Sequence, residues 1–235
     1  MRRRHRRQSG SPDEATVSRA TTVEARPARK EPSPAADGKA RLLALSDGVF
    51  AVALTILVLD LHVPDLPSQA SAAAVGAALL GLWPRYLSYI FSFLVVGIYW
   101  MGHRRVFPSI AKVDRGIAWL NLIFLMCISV VPFLTSVLGR YIDYQVAVDA
   151  YAGGLAIVGL VWWLVWLYAT RTPGRTVPNL HPRAVTFNSL VAVLPPLVFL
   201  VSIGLSFFSV VVAQLSWFLV LLVRPAMTRF YGDWS

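Results

Sequence analysis

The chain has 235 residues, 56% of them apolar and 14% charged, with 22 basic against 12 acidic residues and a formal net charge of +10. Apolar content this high, gathered into long runs, excludes an ordinary soluble domain and places the protein among membrane proteins. The charge does not point to nucleic acid, because eleven basic residues lie in residues 1–41 and most others border apolar runs, the footprint of topology and anionic lipid.

Residues 1–40 are rich in Arg, Pro, Ala and Ser and hold no aromatic residue. Such a stretch buries too little apolar surface to offset its ordering entropy, so a disordered basic tail is expected there, followed by one transmembrane domain over 41–231. It lacks the apolar stretch of a signal peptide. Six apolar segments follow, at about 42–62, 84–106, 116–138, 146–169, 184–205 and 208–230. Each has roughly 20 residues, enough to cross a hydrocarbon core of about 30 Å as a helix. The expected fold is therefore an all-α membrane protein with six transmembrane helices. Residues 68–83, SQASAAAVGAALLGLW, read equally as a short interfacial helix or as an extension of the second span.

Orientation follows from the Lys and Arg counts. With the N-terminus inside, 20 basic residues fall on the inner side and two, Arg85 and Arg140, outside. Both termini are expected to be cytoplasmic, in a multi-pass protein of the cell (plasma) membrane.

The single cysteine, Cys127, lies within an apolar run, which excludes an intrachain disulfide and a thiolate metal cluster. Trp217, Tyr231 and Trp234 are candidate interfacial anchors. The aromatic run WWLVW at 162–166 is expected to pack on lipid or neighbouring helices, Gly153-Gly154 to permit close helix approach, and Pro195-Pro196 to break the fifth span.

The polar residues inside the spans share one depth. Asp47 lies about five residues into the first span, Trp100 and His103 about six and three residues from the end of the second, and Asn121 about five into the third. All fall less than about 10 Å below the inner interface. Trp100, His103 and Phe107 share a helix face. A polar cluster is expected, in which Ser46 and Asp47 find donors among Trp100, His103, Asn121 and Arg41. It serves either as a lock between three helices or as a sensing or gating device. A second face of the first helix carries Val52, Thr55, Ile56 and Leu59 at i, i+3, i+4, i+7, and Asp47 lies roughly 140° around the axis from Val52. Lipid, another helix or a symmetry axis would each suit that stripe.

The residues Arg41, Ser46, Asp47 and Thr55 in RLLALSDGVFAVALTILVLDL resemble the first-helix signature of the transmembrane protein 175 family, the lysosomal potassium channels and their prokaryotic relatives. WMGHRRVF (100–107) is similar to that family's Trp-x-x-His-x-x-x-Phe element, and LNLIFLMCISVVPF (120–133) to its third helix with Asn and Pro. The close match covers about 41–135. The resemblance implies a potassium-permeable leak-type cation channel, without a selectivity-filter loop of the usual kind. The chain has no TVGYG-like stretch. In the family the first helix of each subunit forms the pore. The implied constriction here is Val52, Ile56 and Leu59, with Thr55 supplying hydroxyls. A single six-helix repeat implies a homotetramer. Potassium, other monovalent cations and membrane lipid are the implied partners, with no nucleic acid and no cofactor.

Two positions depart from the family. Leu45 stands where the aromatic of Phe-Ser-Asp is found, and the shorter Val52 replaces Ile or Leu, which would widen the constriction. Asp60, near the outer mouth but about 80° off the stripe, is a candidate cation attractor.

The alternative reading is a proton-coupled or secondary transporter using Asp47 and His103 as a relay. A membrane enzyme would need converging nucleophiles, carboxylates or metal ligands, and the four histidines (His5, His62, His103, His181) show no such spacing. A purely structural bundle is the third.

Overall fold

The computed structural model describes residues 34–62, 65–178 and 180–231. They form eight helices: α1 (Pro34–Ile56), α2 (Ala72–Gly81), α3 (Trp83–Val106), α4 (Arg115–Arg140), α5 (Gln145–Arg171), α6 (Pro182–Ser206), α7 (Val210–Ser216) and α8 (Phe218–Tyr231). Short 3-10 turns, Leu57–Asp60 and Phe107–Ser109, extend α1 and α3.

Six helical stretches are long and apolar enough to cross a membrane: Asp37–Asp60, Trp83–Ser109, Arg115–Arg140, Gln145–Arg171, Pro182–Ser206 and Val210–Phe230. They coincide with the six expected segments, because a span is set by composition against a fixed hydrocarbon thickness. The boundaries differ at the start. α1 begins at Pro34, so residues 34–40, expected in the tail, are helical, and the remainder of that tail lies outside the described residues. The stretch 68–83 resolves into a separate helix. Ser71 caps α2 by accepting the Ala74 N–H at 3.2 Å, and the chain turns at Leu82 before Pro84 opens α3.

The core lies between α3, α4, α5 and α6, around Phe124, Tyr151, Trp166, Phe187 and Phe199, all fully buried. Trp162 and Trp166 of the aromatic run point into it, and Trp166 donates its indole N–H to Ser189 Oγ at 3.0 Å. Gly154 lies against Leu134, with no room for a Cβ. Pro195 and Pro196 do not break α6. They are buried against α5 at Gly159, where a Cβ would stand 2.7 Å from both Pro196 Cδ and the Tyr99 hydroxyl. The break falls in the last span instead, at Trp217.

Trp217 corrects an expectation. It is not an interfacial anchor but is buried, donating to Ser202 Oγ at 2.8 Å, with Tyr151 and Phe91 around its ring. An indole with a partner inside the bundle has no need of the water interface. Trp234 lies outside the described residues.

At the Lys/Arg-rich end, the α3–α4 and α5–α6 loops join. Ile110 and Thr176 form an isolated antiparallel bridge, flanked by Ala111 N–H to Arg175 O (2.7 Å) and Val177 N–H to Ser109 O (2.9 Å). Arg175 Nε reaches Asp114 Oδ2 at 2.8 Å, and its guanidinium lies 4.1 Å from the Tyr168 ring centre. Among the described residues this is the one ion pair.

Asp114 caps α4 by accepting the Ile117 N–H at 2.9 Å. That bond, and then the Arg175 guanidinium, hold its carboxyl below the ordinary value of 3.8. A carboxyl depressed by folding supports the fold above its unfolded value and loses that support as pH falls through the folded one. The melting temperature in detergent is therefore expected to fall further for wild type than for Asp114→Asn between about pH 7 and about pH 3. Equal falls would show that this carboxylate contributes nothing.

Candidate functional site

α1 packs mainly on α3 and α4, and much of its remaining surface is exposed. Its packed side carries Ser46, Phe50, Ala53 and Leu57, all buried. The opposite side carries Val52, Thr55, Ile56 and Leu59. Their apolar members are 56%, 43% and 66% exposed, values that a bundle helix keeps only where lipid or another chain covers it. At about 100° per residue the four lie within a 100° arc. Thr55 donates its hydroxyl proton back to α1, to the Val52 carbonyl at 2.9 Å or the Ala51 carbonyl at 3.0 Å. The oxygen lone pairs are thereby left for whatever faces the stripe. An apolar groove of about 510 Å³, lined by Ala44, Leu45, Gly48, Val52, Ser129 and Pro132 among others, runs between this stripe and α4.

The polar residues at the foot of α1 come together as two separate contacts rather than one cluster. Ser46 and Asp47 are consecutive and therefore diverge. Ser46, Asn121 and His103 are fully buried and form a chain: His103 Nε2 to Asn121 Oδ1 at 3.0 Å, Asn121 Nδ2 to Ser46 Oγ at 3.0 Å, Ser46 Oγ to the Leu42 carbonyl at 2.9 Å. The last acceptor fixes the direction of the rest. Ser46 donates to a carbonyl, so Asn121 donates to Ser46, and the remaining Asn121 oxygen requires a proton on His103 Nε2. His103 Nδ1 is buried without a hydrogen-bond partner among the described residues. Aromatic rings enclose it: Phe107 stacks at 4.2 Å between ring centres, Trp162 lies at 5.5 Å and Phe50 at 5.9 Å.

Asp47 stays exposed at the rim. Its Oδ1 accepts the Trp100 indole N–H at 2.8 Å, and the Arg104 guanidinium lies 5.2 Å from the Trp100 ring. Arg41 is exposed and joins neither contact. Asp60 is drawn into the bundle end, where Ser136 Oγ donates to its Oδ1 at 2.6 Å. Sequence reasoning missed the aromatic enclosure of His103 by Phe50 and Trp162. The apolar character of both residues carried no separate signal.

The molecule is thus a six-span α-helical membrane protein whose first span is pinned at its foot by buried polar groups and bare along one face. Residues 41–132 match the family model described as the endosomal/lysosomal potassium channel TMEM175. A potassium channel of Streptomyces collinus is 35% identical over 173 residues, 72% of this chain and 82% of that protein. A potassium channel of Chamaesiphon minutus is 33% identical, over 72% of this chain and 85% of the relative. The crystal structure of a lysosomal potassium-selective channel TMEM175 homolog from Chamaesiphon minutus superposes with a TM-score of 0.71 at 30% identity, over 81% of this chain and 98% of that one. The chain belongs to the TMEM175 family. The matched region holds most of α1 and α4 and all of α2 and α3, and so includes all three residues of the Ser46–Asn121–His103 chain.

Proposed function

We propose that this protein is a potassium-permeable cation channel of the leak type, a homotetramer in which four copies of α1 surround the conduction path. It is not an enzyme: its family is one of ion channels. The observation that carries the reading is the bare face of α1, with Val52, Ile56 and Leu59 around the outward oxygen of Thr55, in a chain similar to potassium channels. Thr55 donates its one proton within α1, so against lipid alone its oxygen lone pairs would face no donor or cation. Around a symmetry axis the same face gives rings of apolar side chains that gate by dewetting, and a ring of Thr55 oxygens that replaces part of a cation's hydration. Asp60 contributes negative charge at the far mouth. Both termini lie on the cytoplasmic side of the cell membrane in this reading, which the Lys and Arg asymmetry supports. Other monovalent cations pass as well.

Potassium flux into proteoliposomes holding purified protein tests the proposal. Wild type is expected to pass potassium down its gradient without a counter-substrate, with Thr55→Ala altering flux or the potassium-to-sodium ratio by about threefold or more, while mass measurement in lipid gives four chains. Flux that saturates and requires a counter-substrate would replace the channel with a carrier. Vesicles tight under every ionic gradient would remove the leak reading.

A further inference from the structure

Among residues 37–41, all exposed but one, Lys39 alone is turned toward the bundle. Its ammonium donates to the Ile110 carbonyl at 2.7 Å. That carbonyl requires a donor. In the Ile110–Thr176 bridge the backbone bonds run through the flanking residues, Ala111 to Arg175 and Val177 to Ser109. Ile110 and Thr176 are therefore the kind of antiparallel pair whose own N–H and C=O groups point away from each other. Ile110 is fully buried, and a buried carbonyl without a partner is strongly unfavourable. Lys39 provides the missing donor from a different helix.

Behind Ile110 the two loops are stiff. Asp114 caps α4 and holds Arg175, Arg175 stacks on Tyr168 and donates to its hydroxyl at 2.9 Å, and Gly116 leaves the space that Tyr168 fills. A single plate thus joins the ends of α3, α4, α5 and α6. α1 is continuous from Pro34 to Ile56, so Lys39 and Val52 lie on one rod, 13 residues or roughly 20 Å apart.

We propose that Lys39 is a positioning residue for the conduction path: its bond to the Ile110 carbonyl ties α1 to the loop plate and sets the depth and rotation of Val52, Thr55, Ile56 and Leu59. The inference rests on the reading of α1 as the pore-lining helix. Packed helices switch by shifts of about 1–2 Å, and an apolar constriction wets or dries over a comparable change in radius. A tether at the foot of α1 therefore acts on conduction without touching an ion.

The test uses the full chain in vesicles of phosphatidylethanolamine and phosphatidylglycerol, comparing wild type, Lys39→Ala and Lys39→Arg. Two readouts are taken: potassium and sodium flux, and the mobility of a nitroxide placed at Gly38→Cys in a Cys127→Ser background. Gly38 is exposed with no atom within 4 Å of an added Cβ, so the label reports on α1 without disturbing it. Lys39→Ala is expected to mobilise the label and to change flux or the ion ratio by about fivefold or more, and Lys39→Arg to restore both within about twofold. An immobile label in Lys39→Ala overturns the tether whatever the flux does. A mobilised label with wild-type conduction, while Thr55→Ala does change conduction, overturns the positioning role and leaves the pore reading intact. If the label is mobilised and Thr55→Ala is inert, the pore reading has failed and takes the positioning role with it.

Discussion

Leu59→Asn is expected to raise potassium flux into proteoliposomes about tenfold or more. Leu59 is 66% exposed in the protomer, so the substitution removes little packing and should leave the fold intact. Its effect falls on water. A leucine side chain prefers an apolar environment to water by about 1.5–3 kcal/mol, and in the proposed tetramer four such side chains around one axis would make a short stretch in which a hydrated cation loses its shell. An amide at the same place hydrogen-bonds that water and lowers the barrier. Val58→Asn is the control. Val58 is likewise exposed but lies one residue away, roughly 100–120° around the axis, and its substitution is expected to leave flux near wild type. A similar rise from both would show a general loosening of the bundle, and no rise from Leu59→Asn would remove this residue from the constriction.

Asn121→Leu is expected to destabilise the protein by about 2 kcal/mol or more, read as a lower unfolding midpoint in detergent. The two side chains are close in volume, so the loss is not one of packing. It comes from two severed bonds at full burial: the His103 Nε2–H loses its acceptor and Ser46 Oγ loses its donor. Trp100→Phe, which removes the donor to the exposed Asp47 and trims a half-buried ring but severs no fully buried hydrogen bond, is expected to shift the midpoint less than Asn121→Leu does. This contrast separates the two roles open to the polar foot of α1. A large loss of stability with little change in conduction per folded protein makes the buried chain a lock between three helices. An unchanged midpoint with altered conduction makes it a gating element instead.

Much of this is legible in the amino-acid sequence. Six spans follow from composition, because only stretches of about 20 apolar residues bridge the hydrocarbon as helices. The common depth of Ser46, Asp47, Trp100, His103 and Asn121 also follows, because rise along a helix is fixed at about 1.5 Å per residue. The stripe Val52–Thr55–Ile56–Leu59 follows from the angular period alone, and its exposure agrees with a face that no helix of the same protomer covers. Family membership was legible for the same reason, since its motif residues lie at fixed offsets along single helices.

Rotation and partner choice were not legible, because they depend on which side chains meet across helices distant in sequence. Only packing decided that Ser46 turns inward to Asn121 while its neighbour Asp47 stays at the rim with Trp100, and that Arg41 joins neither. Burial beside Ser202 placed Trp217 in the core rather than at the interface, and the notch at Gly159 let α6 run through Pro195-Pro196 unbroken. The pairing of the α3–α4 loop with the α5–α6 loop, and the reach of Lys39 to Ile110 across 71 residues of chain, carry no local pattern at all. Depth in this protein is a local property of the sequence, set by the helix repeat. The direction each side chain faces was settled by the competition of the whole bundle for buried surface and hydrogen-bond partners.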